Sequence, residues 1–237
     1  MIQISNLTKN FGSKMAVNNL SLEVKKGELF GFLGPNAAGK TTTIKLLAGL
    51  LKPTRGSARI CGYDIQKDYI KAKSFLSYIP DMPYLYERLT GREFLRFVSE
   101  IYLLDEKKTD KKIEDLLETF NIKGYADMLI EEYSHGMRQK LVLSAGLLHD
   151  PEVIVVDEPM VGLDPKTSHL VKDIFRKSVQ NGTSIFMSTH TLSVAEEVCD
   201  RVGIIDNGNL IAIGTIDELR KTSGVDGKLE EIFLKLT

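Results

Sequence analysis

The sequence predicts an α/β fold: a mixed sheet, an antiparallel β layer near the N-terminus and a helical subdomain inserted into the core. Three observations predict it. Short apolar runs at Leu29–Leu33, Val153–Val156 and Thr183–Ser188 read as buried strands. Residues 2–10 and 17–25 alternate apolar and polar, as strands covered on one face do. Residues 84–149 instead carry Leu, Glu and Lys at helical spacing.

Taken in order, Gly27-Glu28 signals a turn before the strand Leu29–Leu33. A glycine-rich turn follows, then a helix over Thr41–Leu51 that Pro53 and Gly56 should end. Ala58–Cys61 reads as a short strand. In 84–149, Leu95, Val98, Ile101 and Tyr102 follow a helical period, as do Ile113, Leu116, Leu117 and Phe120. Ser168–Gln180 reads as a helix between two buried strands. Asn207-Gly208-Asn209 is a hairpin signal between Gly203–Asp206 and Leu210–Ile213. Asp217–Thr237 reads as helical with a break near Gly224 and Gly227. The expected organisation is one domain over 1–237, with core segments 1–83 and 150–237 around the helical segment 84–149.

Composition narrows the function. The chain has 237 residues, 43% apolar and 27% charged, with a formal net charge of −1 from 31 basic and 32 acidic residues. That is enough chain for a substantial core. Its near-neutral sum gives no global field favouring nucleic acid or anionic lipid. Two cysteines, Cys61 and Cys199, lack any metal-ligand spacing and are expected as buried thiols in a reducing compartment. The stretch Met1–Phe11 lacks a basic start followed by an apolar run, so no signal peptide is expected. No apolar run approaches the roughly 18 residues of a membrane span, so any membrane work needs a partner that crosses.

Gly34-Pro35-Asn36-Ala37-Ala38-Gly39-Lys40-Thr41 fits GxxxxGK[ST], followed by Thr42, between an expected strand and an expected helix. Glycines let the backbone curl so that successive N–H groups face one phosphate. The helix start adds unpaired N–H groups and a positive dipole end. Lys40 would reach the β and γ phosphates, and the Thr41 hydroxyl would bind magnesium. ATP with Mg²⁺ is the expected cofactor and this core that of a P-loop NTPase. Asp157, at the end of an apolar strand, is placed to hold the metal; Glu158, next to it, could polarise an attacking water.

Tyr133-Ser134-His135-Gly136-Met137-Arg138-Gln139 stands just before an expected helix. With the phosphate loop upstream, Asp157-Glu158 and Gly162-Leu163-Asp164 downstream, and a late His190, the ordered set resembles the ATP-binding cassette (ABC) proteins over essentially the whole chain. The resemblance implies roles. Phe11 stacks on adenine. Ser134 and Gly136 contact the γ-phosphate held by a second subunit. Asp164 contacts that subunit, and His190 holds the γ-phosphate and orients Glu158. It implies two partners, a second ATP-binding subunit, identical or related, and a transmembrane permease. The chain would then lie in the cytoplasm, on the inner face of the cell membrane. ATP would close the dimer and hydrolysis reopen it.

Three positions depart from the family pattern. Asp81, in Ser77-Tyr78-Ile79-Pro80-Asp81, stands where a glutamine is usual; it is aligned as a magnesium-side residue with a shorter reach. His135-Gly136-Met137 replaces two glycines and a glutamine, a variant resembling export-type bacterial cassettes. Ala37 occupies a position often glycine, which costs little unless that residue needs positive φ. Tyr84-Leu85-Tyr86-Glu87-Arg88-Leu89-Thr90, within 81–102, offers aromatics and charges suited to a permease helix.

Other classes fit less well. Cassettes acting on nucleic acid or ribosomes usually carry two cassettes, a coiled coil or basic extensions. This chain has one phosphate loop and no sustained heptads, and no nucleic acid partner is expected. Non-hydrolysing regulatory modules usually lose the glutamate or the histidine; Glu158 and His190 are both present. A GTPase or small kinase leaves Ser134–Gln139 unexplained, and no NKxD motif occurs.

Overall fold

Parallel strands covered on both faces need continuous apolar runs, and three segments supply them. Leu29–Leu33 (β3), Val153–Asp157 (β7) and Ser184–Thr189 (β8) are buried at every position. The computed structural model describes residues 1–82, 84–224 and 227–236. The three strands lie in a six-stranded sheet whose order is Asn209–Gly214 (β10), Arg201–Asp206 (β9), β3, β8, β7, Leu76–Ile79 (β6). Only the β9–β10 hairpin is antiparallel in it; the other pairs are parallel.

Side chains alternate across a strand, and the core divides accordingly. Val153 and Val155 of β7, Phe186 of β8 and Phe30 and Phe32 of β3 face one cluster. That cluster joins the helix Lys40–Leu47 (α1) to an antiparallel sheet of Lys14–Val24 (β2), Ile2–Phe11 (β1), Arg55–Ile60 (β4) and Tyr63–Asp64 (β5), in that order. Ile154 and Val156 of β7 and Ile185 and Met187 of β8 face the opposite cluster. There they meet Val171 and Phe175 of Pro165–Gln180 (α6) and the inserted helices. The inserted helices are Gly91–Ile101 (α3), Glu106–Thr119 (α4) and His135–Leu147 (α5). Each begins at a side-chain cap: Thr90 in a capping box with Glu93, then Asp105, then Ser134.

Several boundaries differ from the sequence reading. α1 ends at Leu47, a turn before the expected Leu51, because Gly49 at φ +67° takes the left-handed position that closes a helix. Leu76–Ile79 forms the edge strand β6, too short and polar in pattern to be read ahead. The helices Tyr69–Ser74 (α2) and Leu192–Val198 (α7) also lacked a clear period. Gly224, at φ +66°, ends Ile216–Ser223 (α8); Leu229–Leu236 (α9) follows, while residues 225, 226 and 237 of the expected helical tail lie outside the described residues. Cys61 and Cys199 are half-buried rather than fully buried. Cys61 sits in the turn after β4, and burial pushes the Cys199 thiol up. Among the described residues no helix is long and apolar enough to cross a membrane.

Candidate nucleotide site

The loop between β3 and α1 opens onto a cavity of about 450 Å³. Asn36, Ala37, Gly39, Lys40, Thr41 and Thr42 line it from the loop; Phe11, Asp81, Asp157, Glu158 and His190 line it from elsewhere. Sequence positions up to 179 apart thus meet at the carboxyl end of the parallel strands, where open α/β sheets bind ligands.

The loop is shaped for an anion. Gly39 has φ +114° and a Cβ there would run into the Ala16 carbonyl, so only glycine fits. Ala37 has φ +65°, so the alanine does carry a cost, about 1 kcal/mol for a left-handed L-residue. Lys40 is 7% exposed. Its Nζ donates to the carbonyls of Gly34 at 2.7 Å and Pro35 at 3.1 Å. Burial lowers its pKa, while the nearby Glu158 and Asp157 charges oppose that shift. Gly34 and Pro35 therefore act by holding the ammonium, and Ala38 is buried behind the loop; none of these three lines the cavity wall.

Asp157 is 3% exposed and accepts a hydrogen bond from the Ser188 hydroxyl, its register partner on β8. Ser188 orients this carboxylate; two aligned strand ends were the only signal in the sequence that could have found it. Glu158 follows at φ +48°, an uncommon conformation for a side-chain-bearing residue. Its N–H donates to the Ser188 carbonyl at 3.1 Å. Its Oε1 lies 2.8 Å from His190 Nδ1, and its buried Oε2 has no hydrogen-bond partner among the described residues. A buried carboxylate oxygen left unpaired is costly.

Thr41, Asp157 and Asp81, which carry oxygen donors, line the same cavity. Hard oxygen donors suit magnesium, which takes few protein ligands and completes its shell with water and phosphate. The donor set therefore fits the ion. Asp81 is exposed at the cavity's edge. The Tyr78 phenol behind it is pushed up to about 12, by burial first and then by the Asp157 and Asp81 charges.

Phe11 ends β1 with 48% of its surface exposed, with Lys9 Nζ 5.0 Å from its ring centre. Such an open aromatic face is a platform for a base. Lys14, Ala16 and Val161 also line the cavity. They were not singled out in the sequence because no motif contains them; Lys14 is brought in as Phe11's partner across the hairpin.

Ser134, Gly136 and Asp164 do not line this cavity. Ser134 caps α5, its hydroxyl accepting from Met137 N at 3.3 Å. Gly136 has open space over its α-carbon. Asp164 caps α6, accepting from Thr167 N at 3.0 Å and Thr167 Oγ1 at 2.6 Å. Those hydrogen bonds hold its carboxyl below the usual range.

A profile described as ABC transporter matches residues 17–161, more than half of the chain. The chain belongs to this family. The probable multidrug ABC transporter ATP-binding protein YbhF of Escherichia coli is 38% identical over 240 residues, covering all of this chain and 41% of YbhF. The chain thus spans less than half the length of that relative. The linearmycin resistance ATP-binding protein LnrL of Bacillus subtilis is 37% identical over 226 residues, covering 95% of this chain and 73% of LnrL. A solved ATP-binding subunit of an ABC transporter superposes with a TM-score of 0.96 at 32% identity, covering 100% of this chain and 99% of that one. The phosphate-loop fold expected from the sequence is the fold of an ATP-binding cassette.

Proposed function

We propose that this chain is the ATP-hydrolysing subunit of an export-type membrane transporter. One observation carries the enzymatic part: Glu158, paired through Oε1 with His190 at 2.8 Å, lines the same cavity as Lys40 and Asp157. Incoming phosphates offer Lys40 a stronger acceptor than the carbonyls that now hold it. Loop N–H groups and the N-terminus of α1 add positive potential. Thr41 and Asp157 would hold magnesium, with Asp81 near enough to meet the ion or its water, and the bound ion would supply charge neutralisation at the phosphates. The Glu158 carboxylate accepts a proton from the attacking water, and His190 steadies both the glutamate and the γ-phosphate. Phe11 stacks on the adenine.

The rest of the reading follows from what the cavity lacks. Ser134, Gly136 and Asp164 lie off the wall, so they serve a nucleotide bound by a second ATP-binding subunit. The permease belongs on the helical segment. A groove of about 330 Å³ is lined by Tyr84, Leu85, Phe94, Val98, Ile101 and Tyr102, and Tyr84 is 97% exposed. The neighbouring charges are engaged: Glu87 binds Arg138 at 2.7 Å and Arg88 binds Glu131 at 3.3 Å. Reversing them would disturb α5 itself, so the apolar residues are the cleaner probe of docking. The names of YbhF, a probable multidrug transporter protein, and LnrL, a linearmycin resistance protein, support export as the direction.

Steady-state ATPase of the purified chain with magnesium tests the enzymatic claim. Turnover in the wild type and a loss of about 10²–10⁴-fold in Glu158→Gln are expected for removal of a general base. Equal rates in the two proteins would contradict it.

A further inference from the structure

The segment from Glu158 to α6 is two linked turns. Val161 N–H donates to the Glu158 carbonyl at 3.2 Å, and Leu163 N–H to the Met160 carbonyl at 3.4 Å. Gly162 has φ +76° at the third position of the second turn, the place a type II turn reserves for glycine. The space over its α-carbon is filled from another element. A Cβ on Gly162 would lie 2.5 Å from Nε2 and 2.7 Å from Cδ2 of His135. So the Nε2–Cδ2 edge of the imidazole at the first position of α5, between Ser134 and Gly136, abuts the turn that follows Glu158. Gln139 stands one helical turn further along the same face of α5. It is 1% exposed, and neither its amide nitrogen nor its oxygen has a hydrogen-bond partner among the described residues. An unspent buried amide is costly.

We propose that His135 is a positioning residue: it holds the Gly162 turn and so ties the Tyr133–Gln139 segment of a chain to that chain's own Glu158. Resting on the dimer reading above, it makes the two nucleotide sites communicate. A nucleotide held by the partner reaches Ser134 and Gly136, moves the start of α5, and the imidazole passes that movement through Gly162 and Val161 to the glutamate. A glycine at position 135 would leave the turn unsupported and the two sites less coupled.

The experiment compares the full chain with His135→Gly, His135→Gln and Gly162→Ala. Amide hydrogen exchange over 159–164, in the nucleotide-free chain, reads the contact without any dimer or turnover. His135→Gly should speed exchange there by about tenfold, with unchanged exchange over α1, and His135→Gln should restore most of the protection. In steady-state ATPase, His135→Gly should lower kcat roughly tenfold with KM for ATP within twofold, since displacing a catalytic group costs turnover rather than ground-state binding. The Hill coefficient for ATP should fall toward 1. Gly162→Ala, which drives a methyl into the ring, should reproduce the kcat loss. Unchanged exchange at 159–164 overturns the proposal whatever the ATPase does. So does a raised KM with kcat intact. A wild-type chain that does not hydrolyse ATP would instead contradict the function proposed above, and the exchange result would still decide the contact.

Discussion

The two ends of the sequence's motif set fold into unlike regions. Around the phosphate loop, groups stand ready and unspent: a lysine parked on two carbonyls, a glutamate oxygen with no partner, an open aromatic face. Around Ser134, Gly136 and Asp164 the side chains are already spent on helix caps, and the open space over Gly136 leaves backbone approachable. The first region is a pocket and the second a surface. The contrast fits the proposal that one copy of the chain binds nucleotide in its pocket and offers its Ser134 surface to a nucleotide held by a second copy.

The largest expected effect probes the pocket. Lys40→Ala should abolish ATP binding, measured with a fluorescent nucleotide, whereas Glu158→Gln should keep binding and lose about 10²–10⁴-fold in turnover. Equal loss of binding in both would erase the distinction between the holding and the reacting groups.

The second prediction concerns pH and the helical segment. His149 stacks on Tyr102 with centroids 3.7 Å apart, in a half-buried position where the Leu76 backbone is the nearest hydrogen-bonding group acting on the ring. Burial lowers its pKa from 6.5 to about 4. The folded state therefore favours the neutral ring. Its contribution is intact above pH 6.5 and is lost as pH falls toward 4. Between pH 7.5 and 4.5 the wild type should lose about 2 kcal/mol more stability than His149→Phe in urea denaturation. Identical losses would show that the ring titrates freely.

Ser134→Ala tests the surface region. Losing the cap should cost about 1 kcal/mol of stability, with nucleotide binding by the isolated chain unchanged. A fall in binding would place Ser134 in its own chain's pocket. The smallest effect belongs to Ala37→Gly, which removes a left-handed alanine and should stabilise the chain by about 0.5 kcal/mol, seen as a small rise in Tm.

Much of this was legible in the sequence because the decisive residues sit in local patterns. Leu29–Leu33 and Val153–Val156 are apolar runs that only a doubly covered strand explains, and both became central to the sheet. Gly34–Thr41 carries its chemistry in one contiguous loop. What was not legible depends on distant neighbours. Leu76–Ile79 is a strand because β7 offers it an edge, which no period within four residues reveals. Ser188 matters through its register with Asp157, and His135 through a glycine in another loop. The end of α1 was misplaced for a local reason: Gly49 closes the helix before Pro53 is reached.

Whether the pocket of one copy is completed by the surface of another is read out by light scattering of the Glu158→Gln chain. With ATP and magnesium the mass should double, and adding Gly136→Asp, which sets a negative side chain where a γ-phosphate must approach, should return it to the monomer. A Glu158→Gln chain that binds ATP and stays monomeric, or a dimer indifferent to Gly136→Asp, would contradict that completion.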